Sequence, residues 1–269
     1  MGLYLAVEHI NGDFCKERFG NGKGNLFKTE LGNLQWDDNF YQNGWYNSIL
    51  QSYEPKTNEE KKDSGALIRM LKAMNYRGSA QANLDTLEKY WDVSKYVMGK
   101  AADDMVDLND NSGHNFYIYH NFKGDGKWKY IGWDYDLSMF YPCAMYYPDT
   151  SGNMALLYES IFRFKKYETL YFKTVSNLMY QHFHPKKLKP LINSLHSKLR
   201  PYALTDPTPG INIFTSNTIP YDSAVKYEFN YPIIWCNTDT NNVTTCDTFN
   251  NYLLGIIPFI DSNYRCVHP

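Results

Sequence analysis

Apolar residues recur with a helical period in the middle of the chain. After Ser64, one face carries apolar residues at three- and four-residue spacing: Leu67, Ile68, Leu71 and Met74. This spacing is typical of an amphipathic helix. Serine is a common helix cap, so this helix is predicted to begin near Ser64. The same period predicts a second helix from about residue 92 to residue 107. Its inward-facing residues are predicted to be Tyr96, Val97, Ala101 and Met105.

A longer helical pattern covers residues 154–202 and is interrupted at His184-Pro185. Because proline cannot continue a helix, this pattern predicts two antiparallel helices. The first third of the chain instead has short apolar runs between glycine and asparagine residues, which predicts strands and turns. Residues 3–10 and 25–28 are the predicted strands there, and Asn11-Gly12-Asp13 is the predicted break between them.

A β-hairpin is predicted in the segment FYIYHNFKGDGKWKYIGW, residues 116–133. Both arms are rich in aromatic and β-branched residues, which favour strands. The connection Lys123-Gly124-Asp125-Gly126 contains Asp-Gly, a pair that favours a tight turn with the twist that a hairpin requires. The segment is therefore predicted to form two antiparallel strands.

Composition and charge exclude some classes of protein. The chain has 269 residues, 43% of them hydrophobic, and a net charge of -2, so it is expected to fold with a sizeable core. It lacks the basic field that binds nucleic acid, and nucleic acid is not an expected partner. No apolar run approaches the roughly 20 residues that span a bilayer. The opening MGLYLAVE does not resemble a targeting peptide.

The cysteines suggest an oxidising compartment. Among five cysteines, Cys236 and Cys246 flank a polar loop that contains the sequon Asn242-Val243-Thr244. This arrangement indicates a disulfide in a secreted glycoprotein. The alternative is a chance sequon and ordinary cytosolic thiols, and the sequence leaves it open. No Cys-x-x-Cys pair occurs, which disfavours a zinc site.

Carboxylate and amide side chains surround the predicted hairpin. Asp110 and Asn115 lie five positions apart in the polar loop NDNSGHN, and Asp134 and Asp136 follow the second strand. Protein kinases have the same order, with an Asp and an Asn in a catalytic loop and a metal-binding Asp after the next hairpin. The pattern therefore favours phosphoryl transfer, and the hairpin is expected to return Asp134 to the loop.

Each residue has a distinct expected role. Mg²⁺ prefers hard oxygen ligands, so Asn115, Asp134 and Asp136 are the candidate metal ligands. Asp136 is expected on the same strand face as Asp134 because side chains alternate along a strand. Asp110 is the candidate acceptor of a proton from an attacking hydroxyl. Taken singly, Asp and Asn in loops more often bond to nearby amides.

Other candidate sites have simpler explanations. Gly20, Gly22 and Gly24 suit a flexible turn, although a loop over a nucleotide remains an alternative. The acidic residues Asp103, Asp104 and Asp107 of the second predicted helix are expected to form a solvated face and not to bind a metal. A two-residue spacing between Asp134 and Asp136 fits metal binding better than sugar hydrolysis. The sequence contains no G-x-S-x-G motif of the kind that would indicate a serine hydrolase.

Four blocks in the same order resemble one family. GLYLAVEHI, GNLFK, NDNSGHNFYIY and WDYD resemble blocks of the CotH kinase family, which are atypical secretory kinases named after a spore-coat protein. A downstream helical segment is also similar, so the resemblance covers about residues 2–200. It implies an α+β, protein-kinase-like fold. Residues 1–60 would form a partial small β lobe, and residues 61–269 a mainly helical lobe with a catalytic loop at 107–136.

The resemblance also implies roles for individual residues. Asp110 falls on the family's catalytic Asp, although Asn111 stands where the family often has Gly. Asn115 and Asp134 fall on the metal-binding positions. Lys28 falls on a lysine that we assign to the nucleotide phosphates. Glu8 falls on a family glutamate and is a candidate partner of Lys28.

The implied protein is a secreted or cell-surface kinase that uses ATP with Mg²⁺ or Mn²⁺ to phosphorylate Ser or Thr of proteins. Fungal members are numerous in the family, and this chain is expected to be one of them, with an incomplete N-terminal region. The alternative is a non-catalytic member, either an adhesin or invasin that binds a host-cell receptor or a pseudokinase. The ordered set of Asp110, Asn115 and Asp134 favours the kinase.

Overall fold

The structure is a computed structural model of the chain. It describes residues 6–29, 34, 52–58, 64–74, 79–106, 108, 115–135, 138 and 161–205. The helices in these ranges are α1 (Gly12–Phe19), α2 (Gly65–Met74), α3 (Ala80–Tyr90), α4 (Val93–Met105), α5 (Lys165–Gln181) and α6 (Pro185–Thr205). The strands are β1 (Asn25–Thr29), β2 (Tyr53–Pro55), β3 (Phe116–His120) and β4 (Trp128–Gly132).

The chain divides into two compact units. One includes the span Glu8–Ser138 and the first half of α5, and the other includes the second half of α5 and all of α6. The larger unit combines helices with a four-stranded antiparallel sheet, which confirms the predicted α+β class. No helix in the described ranges is long and apolar enough to cross a membrane.

The sheet has the strand order β2-β1-β3-β4. Phe116 of β3 pairs with Thr29 of β1 and with Gly132 of β4. The sheet thus joins strands from before and after residue 60. The division into lobes at residue 60 remains a prediction.

Helices cover the two faces of the sheet. On one face Leu26, Tyr117, Tyr119 and Ile131 form a buried cluster with Cys15 of α1. Burial raises the pKa of the Cys15 thiol to about 12, so it stays protonated. On the other face the ring of Tyr130 meets Tyr96 of α4 at 5.6 Å between centroids. These contacts fix the hairpin between α1 and α4.

The first 20 residues differ from the predicted strand. Residues 6–10 have no regular secondary structure, and residues 3–5 lie outside the described part of the chain. The predicted break is instead the start of α1, because the Asn11 side chain accepts hydrogen bonds from the N–H groups of Asp13 and Phe14. Gly20 ends α1 with a left-handed φ of 76°. Residues typical of turns are also the residues that cap helices.

The central helices follow the predicted pattern closely. α2 begins at Gly65 after Ser64, and Leu67 and Leu71 are fully buried. α4 begins after Asp92, whose side chain accepts a hydrogen bond from the N–H of Lys95 at 3.2 Å. The predicted inward-facing residues of α4 are buried: Tyr96, Val97, Ala101 and Met105. α3 was not predicted, and the Ser79 side chain caps it.

The hairpin is confirmed, but its connection is wider than the predicted tight turn. The backbone N–H of Asn121 donates to the carbonyl of Lys127, so five residues lie between them. The side chain of Asn121 fills the space beside Gly124, where a Cβ atom would come within 2.4 Å of it. Gly126 has a φ of 72°, a conformation that glycine adopts readily.

The glycine-rich loop at residues 20–24 is bonded to the far end of β3. The hydroxyl of Tyr119 donates to the carbonyl of Asn21 and accepts from the N–H of Gly24. The side chain of Asn21 donates to that of Asn121 at 3.0 Å. These bonds hold the loop against the sheet, at the opposite end of β3 from Asn115. This position makes the loop a poor candidate for binding the phosphates of a nucleotide at Asn115 and Asp134.

The predicted break in the downstream helical pattern is confirmed. α5 ends at Gln181, and α6 begins at Pro185, where proline is compatible with the first turn of a helix. The residues 154–160 of the predicted segment lie outside the described part of the chain, as do Cys236, Asn242 and Cys246.

A buried lysine ties the hairpin to α4 and gives a stability prediction. Lys129 is 6% exposed, and its ammonium group bonds to the carboxylates of Asp92, at 3.0 Å, and Asp125. Lys129→Met leaves both carboxylates without this cation. We expect a loss of about 2 kcal/mol in the free energy of unfolding, below the value for a fully buried pair because solvent screens both acids. Urea unfolding at pH 7 measures this loss.

The pH dependence of that loss is a second readout. Partial burial raises the pKa of Asp125 and the bonds from Lys129 and Lys127 lower it, with a net lowering. The contribution of the ion pair is therefore present above the pKa of Asp125 in the unfolded chain and is lost as the pH falls through its folded value. The control is Lys95→Met, which replaces an exposed lysine of α4. Equal urea midpoints for Lys129→Met and Lys95→Met would contradict the prediction.

Candidate functional site

The hairpin brings Asn115 and Asp134 to one end of the sheet. Asn115 directly precedes β3, and Asp134 follows the end of β4 by two residues. The last strand pair is Phe116 with Gly132, and the N–H of Trp133 donates to the carbonyl of Asn115 at 3.0 Å. The predicted return of Asp134 towards the polar loop is therefore borne out at Asn115. Asp110 and Asp136 lie outside the described residues.

Both residues have left-handed backbone conformations. The φ angle is 60° at Asn115 and 63° at Asp134, a region that few non-glycine residues adopt and that Asn and Asp tolerate best. β4 ends at Gly132, and Asp134 has left the extended conformation. Asp134 therefore lies beyond the strand on which it was expected, where the alternation of an extended backbone no longer applies. Because Asp136 lies outside the described residues, its placement beside Asp134 stays a prediction. The side chain of Asp134 is exposed.

Lys28 lies on the neighbouring strand β1. It pairs across the strands with Tyr117 of β3, one residue inward from the end of the sheet that carries Asn115. The spacing of strands puts the Cα atoms of Lys28 and Tyr117 about 5 Å apart. Lys28 is half-buried. The sheet thus places Lys28 in the row next to the end that carries Asn115 and Asp134.

Glu8 has a different partner from the one expected. Both of its carboxylate oxygens accept hydrogen bonds from Arg18 of α1, at 3.2 and 3.1 Å. The expected pairing of Glu8 with Lys28 was wrong because α1, which was not predicted, brings an arginine to Glu8. Both side chains are largely exposed, so this pair contributes little to stability.

The acidic residues of α4 are not solvated as expected: Asp103 is buried and Asp104 is half-buried, whereas Asp107 lies outside the described residues. Asp103 is 2% exposed, and its carboxylate oxygens each accept a hydrogen bond at 2.8 Å, one from Tyr130 and one from Tyr135. Asp104 bonds to Lys100 at 3.1 Å and to the hydroxyl of Tyr171 at 2.8 Å. The missed signal is that Asp103 follows the inward-facing Tyr96 by two helical turns.

The electrostatics of this acidic group follow from its burial. Burial raises the pKa of Asp103, while Lys100 and the hydroxyls of Tyr135 and Tyr130 act in the opposite direction. Burial and the nearby carboxylate also raise the pKa of Tyr130 and Tyr135. Both tyrosines therefore keep their protons and donate to Asp103.

One family model covers most of the chain. The model described as CotH kinase protein matches residues 1–231 of the 269-residue chain. The chain belongs to the CotH kinase family. No curated protein matches it. The predicted family is thereby confirmed, and membership indicates a kinase-like protein.

The match to the CotH kinase family includes every predicted site residue. These residues are Lys28, Asp110, Asn115, Asp134 and Asp136. The match ends before Cys236 and Cys246, so it does not bear on the predicted disulfide. The roles of the site residues remain predictions.

The donor atoms at the end of the hairpin fit a hard divalent cation. Asp134 offers an exposed carboxylate, and Asn115 offers an amide oxygen. Mg²⁺ is commonly held by one or two such ligands together with phosphate oxygens and water. Within the described ranges, no three His, Cys, Asp or Glu residues converge in a group that could hold a metal ion.

Proposed function

We propose that this CotH kinase family member transfers the γ-phosphoryl group of ATP to Ser or Thr hydroxyls of proteins. The observation that supports the proposal most is that the hairpin register brings Asn115 and Asp134, two residues with oxygen-bearing side chains, to the same end of the sheet. The family match supports the kinase-like character. The resemblance of the chain to secretory kinases further supports a secreted or cell-surface protein.

Each site residue has a role in the proposed reaction. Asn115 and Asp134, with Asp136 as a further ligand, would hold Mg²⁺ or Mn²⁺ through side-chain oxygens. When bound there, such a cation would supply positive charge that offsets the charge of the phosphates. Lys28 contacts the phosphates from β1.

Asp110 accepts the proton of the attacking hydroxyl. The hydroxyl oxygen forms a bond to the γ-phosphorus while the bond from phosphorus to the bridging oxygen of ADP breaks. The proton passes to Asp110, and ADP leaves with the negative charge. Orientation and charge stabilisation are the main contributions that a protein makes to this kind of transfer.

Thermal unfolding tests the nucleotide part of the proposal. ATP with Mg²⁺ or Mn²⁺ at about 100 times its dissociation constant should stabilise the native protein by about 2.7 kcal/mol. For a chain of this size that corresponds to a rise of about 5–10 °C in Tm. ATP with a chelator and each metal alone are the controls. A Tm that ignores ATP under both metals would overturn the proposal and support the non-catalytic binding protein instead.

A further inference from the structure

The residue after Asp134 is attached to a buried carboxylate. Tyr135 is 45% exposed, yet its hydroxyl donates to Asp103 Oδ1 at 2.8 Å. Asp103 lies near the end of α4, and its backbone carbonyl accepts from the N–H groups of Val106 and Leu108 at 3.1 and 3.0 Å. The acceptor is therefore part of the packed core, and it fixes the position of Tyr135.

Gly132 provides the room that this contact needs. A Cβ atom at Gly132 would lie 2.1 Å from the Tyr135 hydroxyl and 3.1 Å from Asp103 Oδ1. The positive-φ glycines in the described ranges are Gly20 and Gly126, so the backbone of Gly132 does not itself require glycine. The absence of a side chain lets the hydroxyl pass close to the end of β4 and reach α4.

Asp134 is therefore held from both sides. The N–H of Trp133 donates to the carbonyl of Asn115, and the hydroxyl of Tyr135 donates to Asp103. Between these two attachments, Asp134 has a φ of 63°. Such a conformation costs about 1–3 kcal/mol and persists only where the surroundings determine it. The two attachments hold the backbone of Asp134 in this conformation.

We infer that Asp103 and Tyr135 are positioning residues that hold the Asp134 carboxylate towards the metal-nucleotide site. This inference rests on the proposed function, since it gives Asp103 and Tyr135 a role through Asp134. In this role both residues act through Asp134 and not directly on the substrate or the cation. The contact of Tyr135 with Asp103 holds the backbone next to Asp134 and thereby its carboxylate. The loss of outer contacts that position a metal ligand typically weakens metal binding by about 10–100-fold.

Two matched tyrosine variants test the inference. Tyr130 and Tyr135 donate to the same carboxylate at the same distance, 2.8 Å, but Tyr130 lies inside β4 and Tyr135 adjoins Asp134. The probe is a Mg²⁺ titration at fixed ATP, read as the Mg²⁺ concentration that gives half of the rise in Tm. We expect Tyr135→Phe to raise this concentration by about 10–100-fold and Tyr130→Phe to leave it close to that of the wild type. If the hydrogen bonds to Asp103 only stabilised the fold, Tyr135→Phe and Tyr130→Phe would raise the half-saturating Mg²⁺ concentration equally.

Gly132→Ala is the second variant and serves if Tyr135→Phe does not fold. It leaves the tyrosine in place but displaces its hydroxyl, so it should raise the half-saturating Mg²⁺ concentration in the same way. In the double variant the two effects should not add. A wild-type protein without any response to Mg²⁺ and ATP would overturn the proposed function and this inference together. A normal response in wild type, with Tyr135→Phe and Gly132→Ala both matching Tyr130→Phe, would overturn the inference alone.

Discussion

Replacing Asp134 by asparagine is expected to reduce phosphoryl transfer by about 10²–10³-fold. Asparagine has nearly the same shape and also tolerates the left-handed backbone of this position, where φ is 63°. The change therefore removes the negative charge and leaves the local fold intact. A bound cation contributes several kcal/mol of charge stabilisation to such a transition state, and each 1.36 kcal/mol corresponds to tenfold in rate.

Transfer of labelled γ-phosphate from ATP to casein, or to the chain itself, measures the effect. The matched control is Asp85→Asn, which removes an exposed carboxylate on α3 and should leave the rate unchanged. Asp134→Asn should also abolish the rise in Tm that ATP and Mg²⁺ produce. If Asp134→Asn retains the rate of the control variant, Asp134 is not the metal ligand.

Asp110→Asn is expected to separate catalysis from binding. The loss of a positioned proton acceptor typically lowers kcat by about 10²–10⁴-fold. Because Asp110 is assigned to the hydroxyl and not to the cation, KM for ATP and the rise in Tm with Mg²⁺-ATP should stay near the wild-type values. Separate measurement of kcat and KM for ATP distinguishes this variant from Asp134→Asn.

An Asp110→Asn variant that loses nucleotide binding together with transfer would assign Asp110 to the metal. An unchanged kcat would remove Asp110 from the mechanism. In either case the result for Asp134→Asn stands by itself, because the two variants are scored on different quantities.

The sequence predicted the elements whose signals are local. The start of α4 follows from Asp92, whose side chain caps the helix, and the inward face of α4 follows from its period. Pro185 marks the start of α6. The pairing of β3 with β4 could be predicted because both arms and their connection lie in one short segment.

Features that depend on tertiary contacts were not predicted. α1 begins at residues that also form turns, and its apolar residues Phe14, Cys15 and Phe19 acquire their meaning only beside the sheet. An aspartate such as Asp103 is usually exposed to solvent. Its burial is explained by the hydroxyl groups of Tyr130 and Tyr135, which donate hydrogen bonds to it. Local propensity contains no information on such partners.

The candidate site also combines features that local sequence predicts with features that depend on tertiary contacts. The spacing of Asn115 and Asp134 around a hairpin predicts that they meet, and the pair Phe116 with Gly132 confirms the register. The left-handed backbone of both residues was not predicted. The two residues lie beside the hydrogen bond of Trp133 to Asn115 and the contact of Tyr135 with α4, and the second of these joins elements that are separate in sequence.

The contacts that bring Lys28, Asn115 and Asp134 to one end of the sheet close loops of different lengths. Asn115 and Asp134 meet through a short local hairpin, whereas the contact between Thr29 and Phe116 closes a loop of 87 residues. The entropy of loop closure is larger for that contact. Changes that loosen the intervening helices α2 and α3 are therefore expected to shift Lys28 before they disturb the two oxygen donors, so the contributions of Lys28 and of the oxygen donors can vary separately among variants.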